Sequence, residues 1–492
     1  MKVPSSHRVL ADVLARHASA RPDAVALDFE GAEFSYADLS RHCERLAANL
    51  WHGWGVRAGD RIAWLGGNHP GQLMLLFALA RIGAILLPLN FRLSPAELDV
   101  QLAHCQPDHL VHDDSWADVA RDLGARNGQR IHGVAEVLSA DEQQAAPSHG
   151  QTNSPVLLVY TSGTTSGPKA AVHTQANLLA NMEIAAAVQE MTQQDVIATM
   201  LPLFHVGGLC LQTLPALHAG ARVILLPRFA AAAALDCFER QRPTLTLQVP
   251  ATMKALCEHP RWQTADLSSL RAVWAGSSLL PPKLVQAFHQ RGLPVCNVYG
   301  ATETGPFSIA LRPESARSHA GSCGWPAPGV EVRLQGVVNG IGELLIRGPN
   351  VVSRYWRQLP ACDSGGWFHS GDLASQAADG SYTVVGRAKD LIISGGENIH
   401  PAEIEGLLAE HPAVAECAVF GIADEQWGEA VAAAVVFAPG QQVSKDDLLA
   451  HLEGRLARFK LPRQWRWLSK LPRTALGKVQ RHLLAQLPAD NS

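Results

Sequence analysis

This chain of 492 residues has no strong charge of either sign, no paired cysteines and no long unbroken apolar run. Lys and Arg total 41 against 45 Asp and Glu, a formal net charge of −4. The positive field that a nucleic acid needs is missing, so nucleic acid is not expected as a partner. Nine cysteines are scattered without a CxxC pair or regular spacing, which suits reduced thiols in a cytoplasm. Met1–Ala20 has no sustained apolar core, so no secretory signal is read there. The closest imitation of a membrane span, Gly71–Pro88, is interrupted by Arg81 and closed by Pro88. A span needs roughly 20 uninterrupted apolar residues. A buried helix running into a buried strand is expected instead, and no transmembrane segment. No repeat of solenoid period is present either.

What the chain does have is an ordinary globular composition, 47% hydrophobic and 17% charged, at a length that calls for two or more domains. Strand-length apolar runs alternate with helical patterns, which points to α/β layering. Strands are expected at Arg61–Leu65, Ile85–Leu89, Val156–Tyr160, Val196–Met200, Arg222–Leu226, Leu245–Val249, Ala272–Ala275 and Val295–Tyr299. Helices are expected at Tyr36–Trp51, Pro95–His104, Gln175–Gln189, Ala230–Arg240 and Pro282–Arg291. Ser139–Pro155, rich in Gln, Ser, Asn, Pro and Gly, reads as an exposed connector. Beyond about residue 330 the apolar segments shorten and Gly, Asn and Pro separate them, as in antiparallel strands or a small barrel. From Leu391 the order strand, helix (Pro401–His411), strand, strand, helix (Ser444–Ala457) makes a small α+β domain able to fold alone.

The chemistry concentrates in five segments. Tyr160-Thr-Ser-Gly-Thr-Thr-Ser-Gly-Pro-Lys-Ala170 sets two glycines, five hydroxyls and a lysine behind an apolar strand. Glycines let backbone N–H groups approach an anion, hydroxyls add donors and Lys169 adds charge. It is not a Walker loop: Gly163 and Gly167 stand too close, Pro168 removes a donor and Ala170 replaces the Ser/Thr. Asn297-Val-Tyr-Gly-Ala-Thr-Glu303 offers an amide for a base edge, an aromatic face for a purine and a hard carboxylate for Mg²⁺. Ser370-Gly-Asp372 places a carboxylate behind a glycine, suited to ribose hydroxyls. Gly386-Arg-Ala-Lys-Asp390 and Pro472-Arg-Thr-Ala-Leu-Gly-Lys478 complete the set. Each alone also reads as a turn; their order and intervals carry the signal.

Together the five segments resemble the adenylate-forming superfamily of acyl- and aryl-CoA synthetases, peptide-synthetase adenylation domains and beetle luciferase. The resemblance runs from about Ser35 to Lys478. It implies a large N-terminal adenylation domain over 1–387, of layered α/β subdomains with a small barrel-like β region, and a mobile α+β C-terminal domain over 388–492. It implies that Thr161, Ser162, Gly163, Thr164, Thr165, Ser166, Gly167 and Lys169 hold the β- and γ-phosphates of ATP. Tyr299 and the backbone of Ala275, Gly276 and Ser277 would sandwich adenine, with Asn297, Gly300 and Ala301 beside it. Thr302 would meet the α-phosphate, Glu303 would hold Mg²⁺, and Asp372 and Arg387 would grip the ribose. Lys478 would bridge the α-phosphate and the substrate carboxylate, and Lys389 falls at the hinge. Ser394, Gly395 and Gly396 would wall the tunnel for coenzyme A, the implied thiol substrate.

The acid is read from Pro202-Leu-Phe-His-Val-Gly-Gly208. Amino-acid-activating relatives carry an Asp where this chain has His205, so an α-amino acid is disfavoured. By family position the acid pocket is His205, Gly207, Gly208, Trp274, Ala275, Ala301 and Phe307, small and aromatic without a lysine or arginine. An apolar acyl or aryl group fits such a lining. The expectation taken forward is a medium or long fatty acid, with a benzoate- or cinnamate-like acid as the alternative. Transfer to a carrier protein, or loss of catalysis in a nucleotide-binding descendant, are the other readings, and a homodimer is the open expectation for assembly. The chain departs from the family at Ser166 and Ala170 in the loop and at Arg354, where a Gly usually precedes Tyr355.

Overall fold

The computed structural model describes residues 9–139, 144–161, 169–276, 280–394, 397–474 and 477–490. The chain forms two compact units. The larger comprises Met1–Leu280, Leu284–Val332 and Ile346–Phe368; the smaller comprises Pro281–Lys283, Arg333–Leu345 and His369–Ser492. The architecture is mixed α/β throughout.

The larger unit carries two sheets. A six-stranded sheet runs in the order Arg130–Gly133, His109–His112, Arg61–Leu65, Ile85–Pro88, Pro155–Thr161, Lys169–Thr174. All its pairs are parallel except the last, an antiparallel hairpin in which Thr161 faces Lys169. A nine-stranded sheet has a parallel centre: Val295–Tyr299, Ala272–Gly276, Leu245–Gln248, Val196–Thr199, Arg222–Leu225 and Val25–Phe29 lie side by side. Antiparallel strands close both its edges. Such parallel strands are buried on both faces, which is why they read as continuous apolar runs.

The apolar segment at 71–88 folds as expected, into helix Pro70–Ile82 and strand Ile85–Pro88, nearly all of it buried. His69 caps the helix start through Nδ1 to Gly71 N at 3.0 Å, and Gly83 ends it in the left-handed region. A helix apolar on every side belongs in a core or a membrane. Among the described residues no helix is long and apolar enough to cross a membrane.

The smaller unit has an antiparallel four-stranded sheet, Glu331–Val338, Ile341–Arg347, Phe368–Gln376 and Tyr382–Arg387, whose first three strands begin or end in the larger unit. Its second sheet pairs Val414–Asp424 with Gly428–Phe437, flanked by Ile392–Ser394, Glu397–Ile399 and Gln464–Trp467. Helices Pro401–Leu408 and Lys445–Leu452 cover a core of Ile392, Ile404, Leu408, Val419, Val431 and Trp465. Both helices stop earlier than the sequence pattern suggests, since the apolar periodicity continues into the turns that follow. All nine cysteines are free thiols.

Candidate active site

The phosphate-loop segment is mounted on a hairpin, not on a strand-to-helix turn. Residues 162–168, which include Ser162, Gly163, Thr164, Thr165, Ser166 and Gly167, lie outside the described residues. Their flanks are fixed: Thr161 Oγ1 donates to the Lys169 carbonyl at 3.4 Å, and both strands continue away in register. Tyr160, the residue before, anchors the incoming strand. Its hydroxyl donates to the Gln101 carbonyl at 3.0 Å and lies 2.8 Å from His104 Nδ1 and 3.0 Å from Cys105 Sγ. Burial pushes that hydroxyl well above its ordinary range and the Cys105 thiol up to about 11, so both stay protonated.

The second strand of the hairpin holds Tyr355, a residue without an expected role from its motif. Val172 N donates to the Arg354 carbonyl at 3.2 Å, and Ala171 bridges Tyr355. Tyr355 then donates its hydroxyl to Glu303 Oε1 at 2.7 Å, while the Lys169 ammonium stands 5.6 Å from the centre of its ring. One tyrosine thus ties the loop lysine to the buried carboxylate expected to hold the metal. Burial first, and the Glu303 charge second, raise the Tyr355 hydroxyl above its ordinary range, which keeps it a donor. The signal in sequence was only the departure beside it, Arg354.

Glu303 belongs to a one-turn helix, Thr302–Thr304, that follows strand Val295–Tyr299. The Thr304 hydroxyl accepts Ala301 N at 2.9 Å, and Val352 N donates to the Glu303 carbonyl at 2.8 Å. Gly300 is required by packing, since a Cβ there would lie 1.5 Å from the Pro306 carbonyl oxygen. At Gly276 a Cβ would lie 2.4 Å from the Val298 carbonyl oxygen, so this strand end passes its neighbour only as a glycine. Ser277 lies outside the described residues. Asn297 points its amide nitrogen at the Ser322 carbonyl, 3.1 Å, and Cys323 Sγ, 3.4 Å, which fixes its orientation.

At the other strand ends, His205 Nδ1 accepts Gly207 N at 3.0 Å, so the neutral ring carries its proton on Nε2. Val206, Gly207 and Gly208 begin a short helix that passes into a π-helix, Leu209–Thr213. Trp274 is fully buried, and its ring centre lies 5.8 Å from that of Phe307. Ala275, next on the strand, faces the opposite side and packs with Met200, Met253 and Val273. Trp274 and Ala275 therefore line different faces of the sheet.

In the smaller unit, Asp372 and Arg387 are cross-strand partners, with Arg387 Nε 2.8 Å from Asp372 Oδ1. Ser370 Oγ accepts Asp372 N at 3.0 Å and donates to the Leu344 carbonyl at 2.6 Å. Lys389 lies in the turn Ala388–Asp390 between Arg387 and strand Ile392–Ser394. Ser394 is buried in that strand; Gly395 and Gly396 lie outside the described residues. Lys478 follows Gly477, at φ +82°, in a loop closed by the Arg473–Val479 bridge and by Lys478 N to Thr474 Oγ1 at 3.2 Å.

As a metal centre the site offers little protein charge. Among the described residues no group of three or more His, Cys, Asp or Glu side chains could hold an ion. A single hard carboxylate such as Glu303 fits Mg²⁺, which keeps waters and binds mainly through substrate phosphates.

Comparison with known proteins places this geometry in a family. The sequence model described as AMP-binding enzyme matches residues 14–356, and that of the AMP-binding enzyme C-terminal domain matches residues 403–478. The chain is 43% identical to an indoleacetate–CoA ligase of Aromatoleum aromaticum, covering 98% of each. It is 40% identical to a feruloyl-CoA synthase of an Amycolatopsis species, covering 94% of this chain and 96% of that one. The o-succinylbenzoate CoA synthetase of Bacillus subtilis, solved with its acyl-adenylate intermediate, superposes with a TM-score of 0.89 at 30% identity, covering 98% of this chain and 99% of that one. The same synthetase solved with ATP and magnesium ion gives 0.86 at 31% identity, over 96% and 98%.

Proposed function

The chain belongs to the AMP-binding enzymes, and from that premise we propose that it joins an aromatic carboxylic acid to coenzyme A. It is an AMP-forming acid–thiol ligase that uses ATP, Mg²⁺ and coenzyme A. The observation that carries the aromatic reading is near full-length similarity to ligases named for indoleacetate and ferulate, together with the o-succinylbenzoate synthetase. These relatives favour the aryl alternative over the fatty acid expected from the sequence.

A carboxylate is a poor electrophile, and joining it to AMP supplies a leaving group. One carboxylate oxygen attacks the α-phosphorus, the bond to the β-phosphate breaks, and pyrophosphate leaves. The thiol of coenzyme A, losing its proton, then attacks the acyl carbon, and AMP departs with that carboxylate oxygen. In-line transfer demands positioning and charge stabilisation more than covalent help from the protein. The 161–169 loop and Lys169 restrain the leaving pyrophosphate, and Thr302 and Lys478 donate to the α-phosphate oxygens. Asp372 and Arg387 hold the ribose, and Tyr299 and Asn297 hold the base. Glu303 would hold Mg²⁺, which when bound neutralises charge on the phosphates. His205 borders the acid carboxylate, Lys389 is the hinge, and Ser394–Gly396 guide the pantetheine arm.

The test is acid-dependent pyrophosphate release across arylacetic, cinnamic, benzoic and fatty acids, with and without coenzyme A. Aromatic acids should give the highest kcat/KM, and thioester should appear only with the thiol present. Preference for a fatty acid by tenfold or more would overturn the aromatic assignment while leaving the ligase chemistry intact.

A further inference from the structure

Tyr355 meets two groups at once, and its place is set by the strand that carries the phosphate loop. The Val172–Arg354 hydrogen bond and the Ala171–Tyr355 bridge add residues 354–355 to the free edge of the hairpin. That edge position decides where the phenol goes. The ring turns to the Lys169 side and the hydroxyl reaches Glu303 Oε1 at 2.7 Å, from a position 52 residues away in sequence. A phenol donates one proton, so this bond occupies one carboxylate oxygen and fixes the rotation of the other. A buried carboxylate with one oxygen bonded is an oriented ligand, as expected of groups that stand behind metal ligands.

We propose that Tyr355 is a positioning residue for the metal of bound ATP: its hydroxyl holds Glu303 Oε1 so that Oε2 is presented to Mg²⁺. The inference rests on Glu303 being the metal carboxylate. The ring gives the loop lysine an apolar and electron-rich seat, so the lysine and the carboxylate do not collapse into a direct ion pair. Arg354, which interrupts the family pattern, serves this arrangement through its backbone carbonyl.

Tyr355→Phe keeps the ring and removes the bond. Mn²⁺ can stand in for Mg²⁺, and its affinity for the enzyme carrying a non-hydrolysable ATP analogue can be read by electron paramagnetic resonance. The expected result is a roughly tenfold weaker Mn²⁺ affinity in Tyr355→Phe. The concentration of Mg²⁺ needed for half-maximal pyrophosphate release should rise by a similar factor, and excess Mg²⁺ should restore most of the rate. Glu303→Gln weakens Mn²⁺ binding more, and adding Tyr355→Phe to it changes nothing further. Unchanged Mn²⁺ affinity in Tyr355→Phe, or losses that multiply in the double variant, would overturn the positioning role. Unchanged affinity in Glu303→Gln alone would remove the premise, and with it the metal assignment of Glu303.

Discussion

At the scale of single residues, polar groups in unusual places carry the most information. His173 is fully buried on strand Lys169–Thr174, and neither of its ring nitrogens has a hydrogen-bond partner. Burial alone depresses its pKa from 6.5 to about 4. Unfolding returns the ring to its ordinary pKa. Between pH 6.5 and 4 the unfolded chain therefore takes up a proton that the folded chain does not. Stability is complete above that window and falls as the pH drops through it, by at most about 3 kcal/mol from this group. His109, also pushed to about 4, by burial and then by His132, adds in the same direction. Denaturant midpoints measured from pH 7 to 4.5 should fall steeply for the wild type and less steeply for His173→Leu. Equal slopes would show that His173 is not buried neutral. Lys478 gives the complementary prediction on activity. Lys478→Ala should slow acyl-AMP formation by about 10²- to 10³-fold, the effect of losing one donor aimed at a transition state. Thioester formation from supplied acyl-AMP should suffer far less in single-turnover assays.

At the scale of elements, the motifs are legible where the chemistry is written in consecutive residues, and illegible where the fold assembles it. The Gly300 requirement shows the first case: Tyr-Gly-Ala-Thr-Glu reads as a turn because the backbone must pass the Pro306 carbonyl. Gly300→Ala should cost about 3 kcal/mol or more in thermal unfolding, because the obstacle is backbone and cannot swing aside. Tyr355 shows the second, since nothing local to it points to Glu303. Strand His109–His112 is hard to read from sequence because histidines flank its only two apolar residues, although all four residues are buried between neighbouring strands. The antiparallel strand after the phosphate loop was likewise invisible, since Lys169 and the alanines that follow give no alternation. In the smaller unit Arg481 joins three elements: it reaches Glu405 at 2.7 Å, Asp390 at 3.3 Å and the Val419 carbonyl at 3.0 Å. Asp390 adjoins Lys389, the proposed hinge. Arg481→Met should lower the stability of this unit by about 2 kcal/mol, the worth of charged hydrogen bonds at a partly buried site. Amide exchange should rise first in 388–394 and 401–408.

At the scale of the whole molecule, the sequence motifs alone were enough for the reaction class, while the acid was not readable from them. Residues 161–169, the Tyr299–Glu303 turn, Asp372, Arg387 and Lys478 are the positions the proposed function assigns to ATP, the substrate common to the family. The residues proposed for the acid answer to a ligand that differs between relatives, and the strand face each occupies is not written in sequence order. Trp274 and Ala275 illustrate it: adjacent in sequence, they face opposite sides of the sheet. In the proposed reaction the acid's own oxygen attacks the α-phosphorus. Incubating the enzyme with an arylacetic acid labelled with ¹⁸O in both carboxylate oxygens, ATP, Mg²⁺ and coenzyme A tests it directly. The expected products are AMP carrying one ¹⁸O and unlabelled pyrophosphate, with one ¹⁸O left in the thioester carbonyl. Unlabelled AMP, or label released in inorganic phosphate, would contradict it.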